Sequence, residues 1–222
     1  MSITSSASLA AIIDHTILRA DAVEAEVEQF CAEALQWKFA SVCVNPINIP
    51  RAVAALRGST VKACSVVGFP LGATPTEVKL REAEWAVSEG AAEVDMVISI
   101  GTLKSLGAGP IGEEVGALKA ACGPALLKVI LETALLTDDE IVAASLAAKA
   151  AGADFVKTST GFTQKGATVE AVALMRRTVG PDVGVKACGG IRSFAEAMAM
   201  IGAGANRIGT SRGMALMREA TF

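Results

Sequence analysis

The sequence predicts an α/β fold, a closed (β/α)8 TIM barrel that forms a single domain over residues 1–222. Three observations lead there. Short β-rich apolar runs recur along the chain, helical stretches lie between them, and no linker or low-complexity segment interrupts the alternation. Alternation of this kind argues for a parallel sheet, and eight β/α units fit a barrel with short loops in 222 residues. An open doubly wound sheet is the alternative. It would favour a GxGxxG behind the first strand, and none follows.

The first run, IIDHTIL (12–18), is the least clear of the eight. A helical stretch over 23–36 follows, then the runs ASVCVN (40–45) and VKACSVVG (61–68). The helix expected over 77–90 opens with Thr74-Pro75-Thr76-Glu77, read as a capping box in which the threonine caps an orphan N–H and the glutamate reaches back. EVDMVIS (93–99) and LLKVILE (126–132) come next, with a second capping box at Thr137–Glu140. FVKTST (155–160) and VGVKACGG (183–190) precede a third at Ser193–Glu196, which starts a helix over 194–204, and RIGTS (207–211) is the last strand. Gly90, Gly152 and Gly202 stand where helices are expected to end, since glycine takes a left-handed cap without steric cost.

Composition narrows the functional classes. Hydrophobic residues make up 52% and charged residues 19%, which supplies a large core and is too apolar for disorder. The longest uncharged stretch, between Lys62 and Glu77, is shorter than a membrane span and is broken by Gly68, Pro70 and Gly72, so no transmembrane helix is expected. The opening MSITSSASLAAIIDH lacks a basic n-region, so no signal peptide is expected. Five cysteines without a CxxC pair suit reduced thiols in a cytoplasm. A net charge of -3 without a Lys/Arg cluster argues against nucleic acid as a partner. The one histidine, His15, leaves no supply for histidine triads or for a usual zinc ligand set, so no metal is expected.

The informative residues are charges that interrupt apolar strands: Lys62, Asp95, Lys128, Lys157 and Lys186, with Glu132 closing its run. Lys62 sits at a strand start and reads as structural or solvated. For the others, a buried ion network that satisfies itself is the plain alternative. Several strands each sending a charge toward one axis favour a site instead. An amine is a nucleophile only when neutral, and burial or a nearby cation disfavours the ammonium. If Lys157 and Lys186 project from adjacent strands, each is expected to lower the other's pKa, with Asp95 able to shuttle protons. A neutral lysine forms a Schiff base with a carbonyl, an electron sink for carbon–carbon cleavage. Behind the last two strands, GGIRS (189–193) and GTSRG (209–213) place glycines and helix N-termini where barrels of this kind bind phosphate, and Thr160-Gly161 can add donors. Any one such loop read alone is an ordinary tight turn.

Taken together, IDHT (13–16), SVCVNP (41–46), EVDMVI (93–98), LKVILET (127–133), FVKTSTGF (155–162), VKACGGIR (185–192) and RIGTS (207–211) make the chain resemble the deoxyribose-phosphate aldolases nearly end to end. The resemblance implies a cofactor-free class I aldolase on a (β/α)8 barrel, cytoplasmic, forming a homo-oligomer (dimer or tetramer). Such enzymes cleave a phosphorylated sugar, 2-deoxy-D-ribose 5-phosphate, reversibly to D-glyceraldehyde 3-phosphate and acetaldehyde. It implies Lys157 as the Schiff-base lysine, Lys186 as the cation that tunes it and Asp95 as the proton relay. Asp14, Thr16 and Cys43 are then expected to line the pocket, with Thr160, Gly161, Gly189, Gly190, Gly209 and Ser211 around the phosphate. Cys43 also reads as a small core residue, and His15 as a hydrogen-bonded structural histidine. Thr163-Gln164-Lys165-Gly166 departs from the glycine-rich stretch of many relatives, and Lys165 reads equally as a solvated charge or a phosphate contact. The chain has no tyrosine, and its terminal stretch from Met217 is expected to fray, with Phe222 able to pack on a neighbour instead. A transaldolase-like enzyme and a non-catalytic sugar-phosphate binder are the rival readings.

Overall fold

The structure is a computed structural model and describes residues 3–221. Eight parallel strands close in chain order: β1 (Ile13–Ile17), β2 (Ser41–Val44), β3 (Lys62–Val67), β4 (Glu93–Val97), β5 (Leu126–Ile130), β6 (Phe155–Lys157), β7 (Gly184–Cys188) and β8 (Arg207–Thr210), which pairs back to β1. The architecture is the (β/α)8 TIM barrel that the alternation predicts. Around it run α1 (Ser6–Ala10), α2 (Glu24–Trp37), α3 (Ile49–Ala55), α4 (Thr76–Ser88), α5 (Ile100–Leu106), α6 (Gly109–Cys122), α7 (Asp138–Ala150), α8 (Val169–Val179), α9 (Phe194–Gly202) and α10 (Gly213–Glu219).

The two-residue period of the strands sorts their side chains into two environments. Outward residues such as Ile13, Val42, Met96, Leu127, Val156 and Ile208 are buried in one apolar layer between sheet and helices. Each large one contributes roughly 1.5–3 kcal/mol by leaving water. Inside the barrel, Leu18, Cys43, Cys64 and Val66 form a small apolar cluster on one side. Charged residues from β1, β4, β5, β6, β7 and β8 fill the rest.

Local details differ from the sequence reading in three places. The capping boxes at Thr137 and Ser193 form, but at α4 Pro75 takes the cap position and no side chain caps it. Gly90 and Gly152 do take positive φ just past their helices, whereas Gly202 is still helical and Gly204, at φ 112°, makes the reversal. The end of the chain is docked through Ala220. That residue packs against the core, and the Glu219 carboxylate accepts from the Phe194 amide at 2.9 Å. The terminal stretch expected to fray thus makes contacts as far as Ala220, and the reading of Phe222 falls outside the described residues. Lys62 is exposed, as its position at a strand start suggests.

Candidate active site

Register brings the interior charges together. Lys157 on β6 pairs directly with Lys186 on β7, and Asp95 on β4 with Lys128 on β5. Glycines make the room this needs. A side chain at Gly184 would overlap the Phe155 ring, and one at Gly209 would press on Cys188 Sγ and Lys186 Cε. The Phe155 ring in turn lies under the Arg207 guanidinium, 5.3 Å from its centre.

Asp95 is the hub. Its Oδ2 accepts from Lys157 Nζ at 2.8 Å and from Lys186 Nζ at 2.7 Å, while Oδ1 accepts from Lys128 Nζ at 2.7 Å. Lys186 also touches Asp14 at 2.5 Å, and Lys128 touches Glu93 at 2.6 Å. Arg207 closes the network onto Asp14 at 3.0 Å and Glu93 at 2.9 Å. Asp95, Asp14 and all three lysines are fully buried.

Four cations thus face three carboxylates. Loss of one proton balances the network, and Lys157 is the cation that contacts a single carboxylate. The net titration shift of the two lysines is opposite in sign to the sequence expectation. Burial is the largest influence and disfavours the Lys157 ammonium, as Lys186 does, yet Asp95 together with the Cys188 and Cys43 thiols more than offsets them, and the Lys157 pKa is raised. The shift is larger for Lys186, where burial is outweighed by Asp14 and Asp95, and for Lys128, where Asp95 leads the opposition to burial. Lys186 does lower Lys157, as expected of a neighbouring cation, but the Asp95 oxygen that both amines contact helps turn the net shift upward. Burial would raise Asp95, but the three lysines hold it well below the usual carboxylate range. Burial would likewise raise Asp14, and Lys186 and Arg207 hold it down.

Above this network lies a cavity of about 530 Å³ lined by Thr16, Thr160, Gly161, Gly189, Gly190, Gly209 and Ser211, and also by Cys188, Arg19 and Arg192. Asp14 and Cys43 do not line it. Asp14 is a member of the ion network, and Cys43 belongs to the inner apolar cluster. Lys157, Lys186 and Asp95 do not line it either, and the Lys186 stem runs close by Gly209, which does. Gly161, Gly189 and Gly190 all have positive φ, between 81° and 89°, so the loops behind β6 and β7 turn in a way that suits glycine. Lys165 is exposed.

Cys43, Cys64 and Asp95 bring three potential metal ligands within 4.8 Å of one another. The set suits a cation poorly. Asp95 is saturated by three ammonium groups, Lys128 Nζ lies 3.3 Å from Cys64 Sγ, and burial pushes the Cys64 thiol well up so that it stays protonated. His15 accounts for itself. Its Nε2 lies 2.6 Å from the Glu33 carboxylate and its ring stacks on Phe30. The sequence reading passed over Arg207 and Glu93, and it counted Lys128 among the axis-directed charges without giving it a specific role. Arg207 and Glu93 stand at strand starts, where charge is ordinary, and only Lys128 carried a signal, as a charge inside an apolar run.

Comparison with known proteins gives the family. The family model described as DeoC/LacD family aldolase matches residues 8–221. A deoxyribose-phosphate aldolase of Rhodospirillum rubrum is 56% identical over 214 residues, covering 96% of this chain and 90% of the relative. One of Streptococcus gordonii is 54% identical over 209 residues, covering 94% and 95%. The solved tetrameric deoxyribose phosphate aldolase of Aeropyrum pernix superposes with a TM-score of 0.88 at 36% identity, over 96% of this chain and 91% of that one. With its matched length, its barrel and its relatives in agreement, the chain belongs to the DeoC/LacD family of aldolases, and is a carbon–carbon lyase.

Proposed function

We propose that the protein cleaves 2-deoxy-D-ribose 5-phosphate reversibly to D-glyceraldehyde 3-phosphate and acetaldehyde through a Schiff base on Lys157. The observation that carries this reading is Asp95 Oδ2, shared by the Lys157 and Lys186 ammonium groups beneath a glycine-lined cavity. Lys157 gives up its proton into the Asp95–Lys186 pair, and the neutral amine adds to the C1 aldehyde. The carbinolamine loses water to give the iminium. The C2–C3 bond then breaks, its electrons pass to C2 as an enamine, and the C3 hydroxyl proton leaves as the new aldehyde forms. Protonation of C2 and hydrolysis release acetaldehyde and return the amine. Lys128 helps by engaging Oδ1, which leaves Oδ2 turned to the reacting side.

The phosphate is assigned to the end of the cavity formed by Gly189, Gly190, Gly209 and Ser211, where backbone N–H groups behind β7 and β8 meet an anion. A homo-oligomer in the cytoplasm fits this reading. The tetrameric relative and five free buried thiols support it. The test is turnover with EDTA present, comparing acetaldehyde with dihydroxyacetone as donor in the synthetic direction. The reading expects chelator-resistant turnover with acetaldehyde preferred. Preference for dihydroxyacetone favours the transaldolase-like alternative, and chelator-sensitive turnover rejects the lysine chemistry.

A further inference from the structure

Glu132 is buried and holds a left-handed backbone, φ 57° and ψ 61°, immediately beyond β5. Such a conformation is uncommon for a residue with a Cβ, and here no glycine relieves it. Its carboxylate does not join the Asp95 network. It turns instead to the loop behind β6. One oxygen accepts from the Thr160 amide at 3.2 Å and from the Thr160 hydroxyl; the other lies 3.1 Å from the Thr163 hydroxyl, whose proton it shares with the Lys165 carbonyl at 2.9 Å. Thr160 and Gly161 line the cavity, and the same loop then leans on the next one. The Ala167 amide donates to the Gly189 carbonyl at 3.0 Å, and the backbones at Gly166 and Gly189 approach too closely for a side chain on Gly166.

We infer that Glu132 is a positioning residue for the phosphate end of the substrate: it fixes the loop behind β6 against the loop behind β7 and so sets the width of the cradle. The inference rests on the function proposed above. A carboxylate suits the task because it is acceptor-only and satisfies an amide and two hydroxyls at once. The left-handed backbone is what brings that carboxylate under the loop, since Thr133, the next residue, donates its amide to the Thr158 carbonyl at 2.9 Å and continues along β6. The Glu132 carboxylate does not itself touch Lys157, which this segment meets through the Leu131 amide on the Lys157 carbonyl at 3.0 Å, so the effect of changing the carboxylate falls on binding of the phosphate end and not on bond cleavage.

The test uses Glu132→Gln in the full-length enzyme, with 2-deoxyribose 5-phosphate and unphosphorylated 2-deoxyribose as paired substrates. The expected result is a KM for the phosphorylated sugar raised about tenfold, as for loss of a charge-assisted contact. The kcat should change less than about threefold, and kcat/KM for 2-deoxyribose should stay within about threefold. An unchanged KM, or equal losses on both substrates, overturns the assignment. If Glu132→Gln does not fold, Thr163→Val removes one donor and leaves the carboxylate in place. It should shift KM in the same selective way by about threefold, Thr163→Ser should restore it, and an unselective result overturns the assignment. Wild-type turnover measured alongside separates the two claims. Its absence rejects the proposed function, whereas an active wild type with an unselective variant rejects only the role of Glu132.

Discussion

Asp95 holds three ammonium groups on two oxygens, and the chemistry of the barrel follows from how they are shared. The Lys157 pKa is raised, so at neutral pH the free enzyme holds that amine largely protonated and the nucleophilic fraction grows as pH rises. The expected kcat/KM therefore climbs from neutral into alkaline pH. In Lys186→Leu the repulsion from Lys186 is gone and Asp95 is shared with one partner fewer, so Lys157 moves higher still. The rising limb should shift to higher pH with a strong loss near neutrality, and a shift to lower pH contradicts the charge balance. Asp95→Asn should cost on the order of 10²–10⁴ in turnover, with a melting curve run in parallel because two of the lysines keep other carboxylates and Lys157 keeps none. Much of this was legible in the sequence. A charge inside an apolar run with period two has to face the barrel axis, and this singles out Asp95, Lys128, Lys157 and Lys186. The sign of the lysine shift was not legible, because it depends on which atom of Asp95 sits between the two amines. The place of Asp14 was hidden for the same reason, since its partners Lys186 and Arg207 lie far along the chain and meet it only on closure.

Strands and helices show a similar division. All eight strands stand where apolar runs predict them, but β6 covers Phe155–Lys157 where the run extends to 160. Thr160 leaves the ladder because Glu132 captures its amide and hydroxyl, a contact no local pattern announces. Thr74 fails as a cap because Pro75, with no N–H and a fixed φ, takes that position itself. A charge pair between helices is the other feature that periodicity hides. Lys79 on α4 is fully buried, donates to the Val97 carbonyl at 2.8 Å and pairs with Glu114 on α6 at 2.7 Å. Gly68 leaves space for its stem, since a side chain there would come within 2.7 Å of Lys79 Cε. Glu114→Ala strands a buried ammonium and should destabilise the fold by about 3–5 kcal/mol. Chemical denaturation measures it, and a loss below about 1 kcal/mol would show that Lys79 finds other partners.

At the scale of the molecule, the outer apolar layer holds the barrel and leaves its interior for charge. The described part of the terminal segment belongs to that outer layer and not to the site, because Ala220 packs on the core and Glu219 holds the start of α9. Deleting Ala220 to Phe222 should therefore lower the melting temperature while changing turnover by less than roughly tenfold, under about 1.4 kcal/mol of barrier. A larger fall in turnover with an unchanged melt would place the tail in the chemistry. The proton relay proposed for Asp95 and Lys186 lies within the barrel in either case, and the central claim concerns which amine it serves. The most direct measurement is borohydride reduction in the presence of 2-deoxyribose 5-phosphate, followed by peptide mapping. The proposed reading, in which Lys157 is the cation held by a single carboxylate, predicts the reduced adduct on Lys157. An adduct on Lys186 or Lys128, or steady turnover that borohydride fails to trap, would contradict it.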